Sequence, residues 1–159
     1  MTEARETAMR DDAFDATVRA AIVASITRDG VVPTIARVAQ SLATDVDTVR
    51  ASFDRMIAAH VFIARKGSSE IYSYNPFAAE PTDFRVRSGG KEWWALCGWD
   101  ALGIPNALGA AGTIHSTCAD CGDRISVDVD RDGTATANGG AVLHVGVRAV
   151  DFWKDIYFT

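Results

Sequence analysis

The chain has 159 residues, 48% hydrophobic and 23% charged, enough to bury one core or a small module joined to a modest second one. Its net charge is −5, and residues 91–159 carry 5 Lys and Arg against 9 Asp and Glu while residues 1–90 carry 11 against 12. That balance argues against nucleic-acid binding by bulk charge. No apolar run approaches the ~18 residues of a membrane span, and the opening MTEARETAMRDD has no apolar signal core, so the sequence predicts a cytoplasmic protein. Three cysteines in such a chain point to reduced thiols with a chemical or metal role instead of a disulfide scaffold.

Residues 1–12 read as a polar tail. Phe14, Val18, Ala21, Ile22 and Ile26 then recur at helical spacing, and Asp29-Gly30 supplies a stop. Thr34 is placed to cap a short helix carrying Ile35, Val38, Ala39 and Leu42. Thr44 or Asp45 is placed to cap a third, with Val46, Val49, Phe53, Met56 and Ile57 as its stripe. After His60 the period changes to two in VFIAR, turns at Lys66–Ser69 and returns as EIYSY. Three helices and a hairpin over residues 13–75 form a winged-helix-like plan. Such a plan invites a DNA-binding reading with the third helix in the major groove. Residues 45–60 hold only Arg50 and Arg55 against Asp45, Asp47 and Asp54, which favours a module packed on the next domain.

Residues 75–90 carry two prolines and end in Gly89-Gly90, predicting an extended connector with a short strand around Phe84–Val86, docked through Phe77 and Phe84. In KEWWALCGWDALGIPNALG, Cys97 and Asp100 stand at i, i+3, which on a helix places a thiol and a carboxyl on one face. Such a pair can bind a soft metal through sulfur while the carboxyl moves a proton; the plain alternative is a buried structural cysteine. A position near a helix start also predicts Cys97 as the most reactive thiol. Further on, Cys118 and Cys121 form a CxxC followed by Gly122, which reads as half of a zinc knuckle that His115 or Cys97 would have to complete, as a redox pair, or as two core cysteines. Arg124–Asp130 alternates as a strand, Arg131–Gly133 turns, and Ala141–Val147 alternates again with His144 on its less apolar face. Asp151–Thr159 reads as an aromatic-rich helical turn or strand entry, and an ending on Ile156, Tyr157 and Phe158 suggests a cut inside a core element.

The order of these features resembles the organomercurial (alkylmercury) lyase family: a winged-helix-like beginning, the connector NPFAAEPTDFRV, a Cys-x-x-Asp segment followed by LGIP, then strands. The resemblance covers nearly the whole chain. Its most specific stretch is WALCGWDALGIPNAL, where Cys97 matches the first catalytic cysteine and Asp100 the catalytic aspartate; in STCADCG, Cys118 matches a structural cysteine and Cys121 has no catalytic counterpart. The resemblance implies an α+β fold, the winged-helix-like module docked to a lyase-type domain over residues 76–159 with an antiparallel-rich sheet. It also implies protonolysis of carbon–mercury bonds by Cys97 and Asp100, with mercury of the substrate held by Cys97. No bound cofactor is implied, only external thiols that remove the mercuric ion, and Trp93, Trp94 and Trp99 are candidates for an apolar pocket. The family's second catalytic cysteine falls just after the Asp-Ile-Tyr-Phe-Thr stretch, so over these 159 residues impaired turnover is expected. A different class of reading is a regulatory module that senses a soft metal through Cys97, Cys118 and Cys121.

Overall fold

The computed structural model describes the backbone of residues 3–157 and the side chains of residues 11–157. Helix α1 (Glu3–Asp29) begins inside the stretch expected as a polar tail. Its Glu, Ala, Arg and Met residues are strong helix formers, so polar composition does not stop the helix from extending toward the N-terminus. Helix α2 (Ile35–Ser41) is capped by Thr34, whose hydroxyl accepts from Arg37 N–H, and the Glu70 carboxylate accepts from Ile35 N–H at 3.0 Å. Helix α3 (Val46–Ala58) is capped by Asp45, which accepts from Thr48 N–H at 2.7 Å. Val18, Ile22 and Ile26 of α1, Ile35 and Val38 of α2, and Val49, Phe53 and Met56 of α3 are all buried in one cluster. Asp15 of α1 ties the back of this bundle together, accepting from Ser52 and from the Arg55 guanidinium at 2.6 Å each.

Among the described residues eight antiparallel strands follow: β1 (Ile63–Ala64), β2 (Ile71–Tyr74), β3 (Phe77–Ala78), β4 (Phe84–Ser88), β5 (Lys91–Ala95), β6 (Gly112–Thr117), β7 (Arg124–Val129) and β8 (Ala135–Ala137). They form a single sheet in the order β1-β2-β3-β5-β4-β6-β7-β8. The hairpin β1–β2 is thus continuous with the later strands, because Ser73 pairs with Ala78 and Ala78 with Trp94. Gly89 and Gly90 join β4 to β5 in a two-residue turn between paired Ser88 and Lys91. Both have positive φ, +54° and +78°, the conformation that matches the twist of a tight hairpin and that side chains resist.

The helical bundle is fastened to the sheet at the C-terminal end of α1. There Ile26 O, which already accepts from Gly30 N–H at 3.0 Å, and Thr27 O near the helix end are reached from the sheet. Trp93 Nε1 donates to Ile26 O at 2.9 Å and Lys91 Nζ to Thr27 O at 2.9 Å, both from β5. Helix α4 (Gly98–Leu108) leaves the end of β5 and returns across the sheet, burying Ala101, Ile104 and Pro105.

Beyond β8 the alternating run Ala141–Val147 is not a strand. Its apolar residues Val142, Leu143 and Val145 are exposed, and His144 lies with them at the surface instead of on a ladder. Alternation supplies a face but not a partner: β8 is three residues long, and Gly139 and Gly140, both at positive φ, turn the chain off the sheet edge. A 3-10 segment over Ala149–Lys154 then returns to the first hairpin, where Trp153 stacks on His60 with ring centroids 4.1 Å apart and Tyr157 OH donates to Ala64 O at 2.6 Å. Phe158 and Thr159 lie outside the described residues.

Candidate active site

The candidate pair Cys97 and Asp100 sits where the central strand β5 ends and α4 begins. Cys97 is the N-cap of α4, in extended conformation (φ −145°, ψ 174°), and Asp100 is the third helical residue. Their i, i+3 relation is therefore that of a cap and the first turn, the spacing of a capping box, and not of two residues on a helix face. The thiol and the Asp100 carboxyl lie close enough that each changes the other's proton affinity.

Burial raises the proton affinity of both groups. For Cys97, burial is the largest influence and the Asp100 carboxylate adds to it; the N–H groups of Asp100 and Trp99 favour the thiolate but do not prevail. For Asp100, burial pushes the carboxyl above the ordinary range, and the hydrogen bond from Cys97 offsets this only in part. A carboxylate in a first helical turn is ordinarily favoured by the helix dipole. Desolvation overrides that preference here.

The pair opens into a cleft of about 410 Å³. Its walls are mainly apolar: Ile63 and Pro76 from the hairpin side, where Asn75 adds a polar group, Leu96 and Trp99 from the β5–α4 junction, and Phe152 and Ile156 from the returning C-terminal segment. Among the described residues, Asp100 is the only charged one lining it. A neutral or singly charged organic molecule with a thiophilic centre fits such a lining.

Of the three tryptophans read as pocket candidates, only Trp99 lines the cleft, with 66% of its surface exposed. Trp93 is core: it is 4% exposed, packs near Phe77, and uses its indole N–H on α1. Trp94 stands on β5 opposite Ala78 and Arg85, away from the cleft lining. Sequence reading missed Phe152, Ile156, Ile63 and Pro76, because nothing local shows that the C-terminal segment folds back across the hairpin.

Cys118 and Cys121 are elsewhere, in the loop between β6 and β7, and His115 lies on β6 opposite Arg85 and Ser126. Among the described residues no group of three or more His, Cys, Asp or Glu side chains gathers. The three cysteines therefore do not converge on one metal, as a sensor built from all three would require. The acidity ranking of the thiols also departs from expectation: Cys118 lies below the ordinary range while Cys97 lies above it. At Cys97 the helix-start N–H groups do not offset burial.

Among the described residues no helix is long and apolar enough to cross a membrane. The alkylmercury lyase family profile matches residues 77–158. The fold is similar to that of a solved structure, the crystal structure of the mercury-bound form of MerB2, with a TM-score of 0.59 and 22% identity. That likeness covers 79% of this chain and 60% of the other, so the chain spans about three fifths of that relative's length. No curated protein sequence matches the chain.

Proposed function

Since the chain belongs to the alkylmercury lyase family, we propose that it captures organomercurial compounds on Cys97 and breaks their carbon–mercury bond with a proton delivered by Asp100. The observation that carries this reading is that Cys97 and Asp100, cap and first turn of α4, line one largely apolar cleft together. Mercury(II) is soft and takes thiolate ligands. Cys97 forms a sulfur–mercury bond as its proton passes to the Asp100 carboxylate, and the substrate's other ligand departs. Asp100, now a carboxylic acid, protonates the mercury-bound carbon; the hydrocarbon leaves and the mercuric ion remains on the Cys97 sulfur.

The proton tally closes within the pair. The proton lost by the thiol becomes the new hydrogen of the hydrocarbon, and Asp100 returns to carboxylate. Raised proton affinity at Asp100 suits this duty, since a general acid must keep its proton until the carbon is ready to accept it. The apolar walls hold the organic group and exclude water.

Cys97 is the only thiol lining the cleft among the described residues. A second sulfur on mercury would make the bound carbon more basic, so with one thiolate capture is expected to outrun cleavage. Low-molecular-weight thiols from solution can supply that second ligand and carry the mercuric ion away. The test is incubation with phenylmercury in deuterated buffer containing excess thiol. Benzene bearing one deuterium supports the reading, whereas benzene formed equally by Cys97→Ser contradicts it.

A further inference from the structure

The loop between β6 and β7 carries a second pair of thiols that the proposed reaction does not use. Thr117 pairs with Arg124, so residues 118–123 form a closed hairpin loop. Within it Cys118 N–H donates to Asp123 O at 2.8 Å, and Gly122 N–H donates to Cys118 O at 3.0 Å. Both backbone polar groups of residue 118 are thereby fixed. Gly122, at φ +77°, takes the left-handed conformation that turns the chain back toward β7.

These two backbone bonds and the Thr117–Arg124 pairing close the loop tightly, so that Cys118 and Cys121, three residues apart, project their thiols from one turn. The nearby N–H groups of Cys121 and Asp120 hold the Cys118 thiol below its ordinary range. At Cys121 the Asp123 N–H favours the thiolate, but the hydrogen bond to Cys118 and the Asp123 carboxylate outweigh it and hold that thiol above its ordinary range. Both are accessible, Cys118 in part and Cys121 fully. A tetrahedral zinc site needs four ligands, whereas the loop adds to its two thiols only the hard carboxylates of Asp120 and Asp123, and among the described residues no group of three or more His, Cys, Asp or Glu side chains able to hold a metal gathers. Two thiolates alone suit a soft cation that accepts two-coordinate binding.

We propose that Cys118 and Cys121 together form a two-coordinate chelating site for a thiophilic cation of the mercury(II) class. Binding replaces two S–H bonds with two S–metal bonds and releases two protons to solvent, with no change in oxidation state. The proposal rests on the loop and not on the lyase reading, since neither cysteine lines the cleft.

The experiment uses the full reduced chain carrying Cys97→Ser, which removes the cleft thiol. It is loaded with one equivalent of mercury(II) chloride, challenged with increasing 2-mercaptoethanol and followed by native mass spectrometry. A loop that presents the second thiol at an effective concentration of the order of mM should retain one mercury until the monothiol approaches that range. Adding Cys118→Ser or, separately, Cys121→Ser should shift release to a monothiol concentration about 100-fold lower, as loss of chelation requires. Cys121 is exposed, so its substitution leaves the core untouched. The proposal is overturned if either added substitution leaves retention unchanged, if Cys97→Ser retains no mercury, or if it binds two ions, one on each thiol. Hydrocarbon release by the unsubstituted chain is measured in parallel, so failure of the lyase reading is seen separately.

Discussion

Cys97 and Cys118 face the same kind of backbone, with two N–H groups directed at each sulfur, yet their proton affinities move in opposite directions. The difference is the surroundings. Cys97 is sunk at a strand–helix junction beside a carboxyl that is itself buried, whereas Cys118 sits in an open loop where desolvation costs little. Backbone dipoles tune a thiol; burial and a neighbouring carboxylate decide it. The cleft thus raises the proton affinity of both its thiol and its carboxyl, and the loop lowers that of Cys118.

The sharpest way to break this contrast is to remove the proton carrier. Asp100→Asn should still form the organomercurial adduct, visible by mass, but release hydrocarbon about 10²- to 10⁴-fold more slowly, the usual worth of a positioned acid. Unchanged release would assign the proton to solvent. A second effect concerns labelling. Limiting iodoacetamide near neutral pH should modify Cys118 several-fold ahead of Cys97, because the thiolate is the reacting species; peptide mapping that finds Cys97 first would reverse the ranking.

Stability should follow the same asymmetry. The folded Asp100 has a raised affinity for its proton, so its favourable contribution is complete below its unfolded value of 3.8 and is lost as pH rises through the higher folded value. Asp100→Asn should therefore be more stable than the native chain at pH 7, with the gap closing as pH falls below 3.8. Denaturant melts at both pH values measure this. The smallest effect is expected at the distal bundle. Arg55→Ala removes the partner of Asp15 and, since that guanidinium is 37% exposed, should cost about 1 kcal/mol after solvent screening. A gel shift on duplex DNA should show no sequence-dependent binding before or after that change, because Arg55 is already engaged by Asp15 and approached by Asp11.

Much of the fold was legible wherever one element carries its own signal. The stripes of α1, α2 and α3, the Asp29-Gly30 stop and the period-two strands with glycine turns each follow from local spacing, and each is present. The run Ala141–Val147 misleads for the complementary reason: a strand exists only with a partner, and period two says nothing about whether the sheet edge has one. Likewise residues 1–12 read as a polar tail by composition, whereas helix propensity starts α1 at Glu3. The Cys97–Asp100 pairing was visible as spacing, but its geometry as cap and first turn was not, because WALC gives no sign of where β5 stops. Cleft walls from Ile63, Phe152 and Ile156 depend on contacts about 90 residues apart in sequence, fixed by Tyr157 and Trp153 against the first hairpin.

The central claim is that one thiol and one carboxyl in the cleft cleave a carbon–mercury bond. It is tested most directly by gas chromatography of the hydrocarbon released from phenylmercury by the 159-residue chain, with and without excess free thiol. The expected result is stoichiometric adduct formation at Cys97, slow hydrocarbon release that quickens with added thiol, and no release above background from Cys97→Ser or Asp100→Asn. Rapid release that survives Cys97→Ser would contradict the assignment.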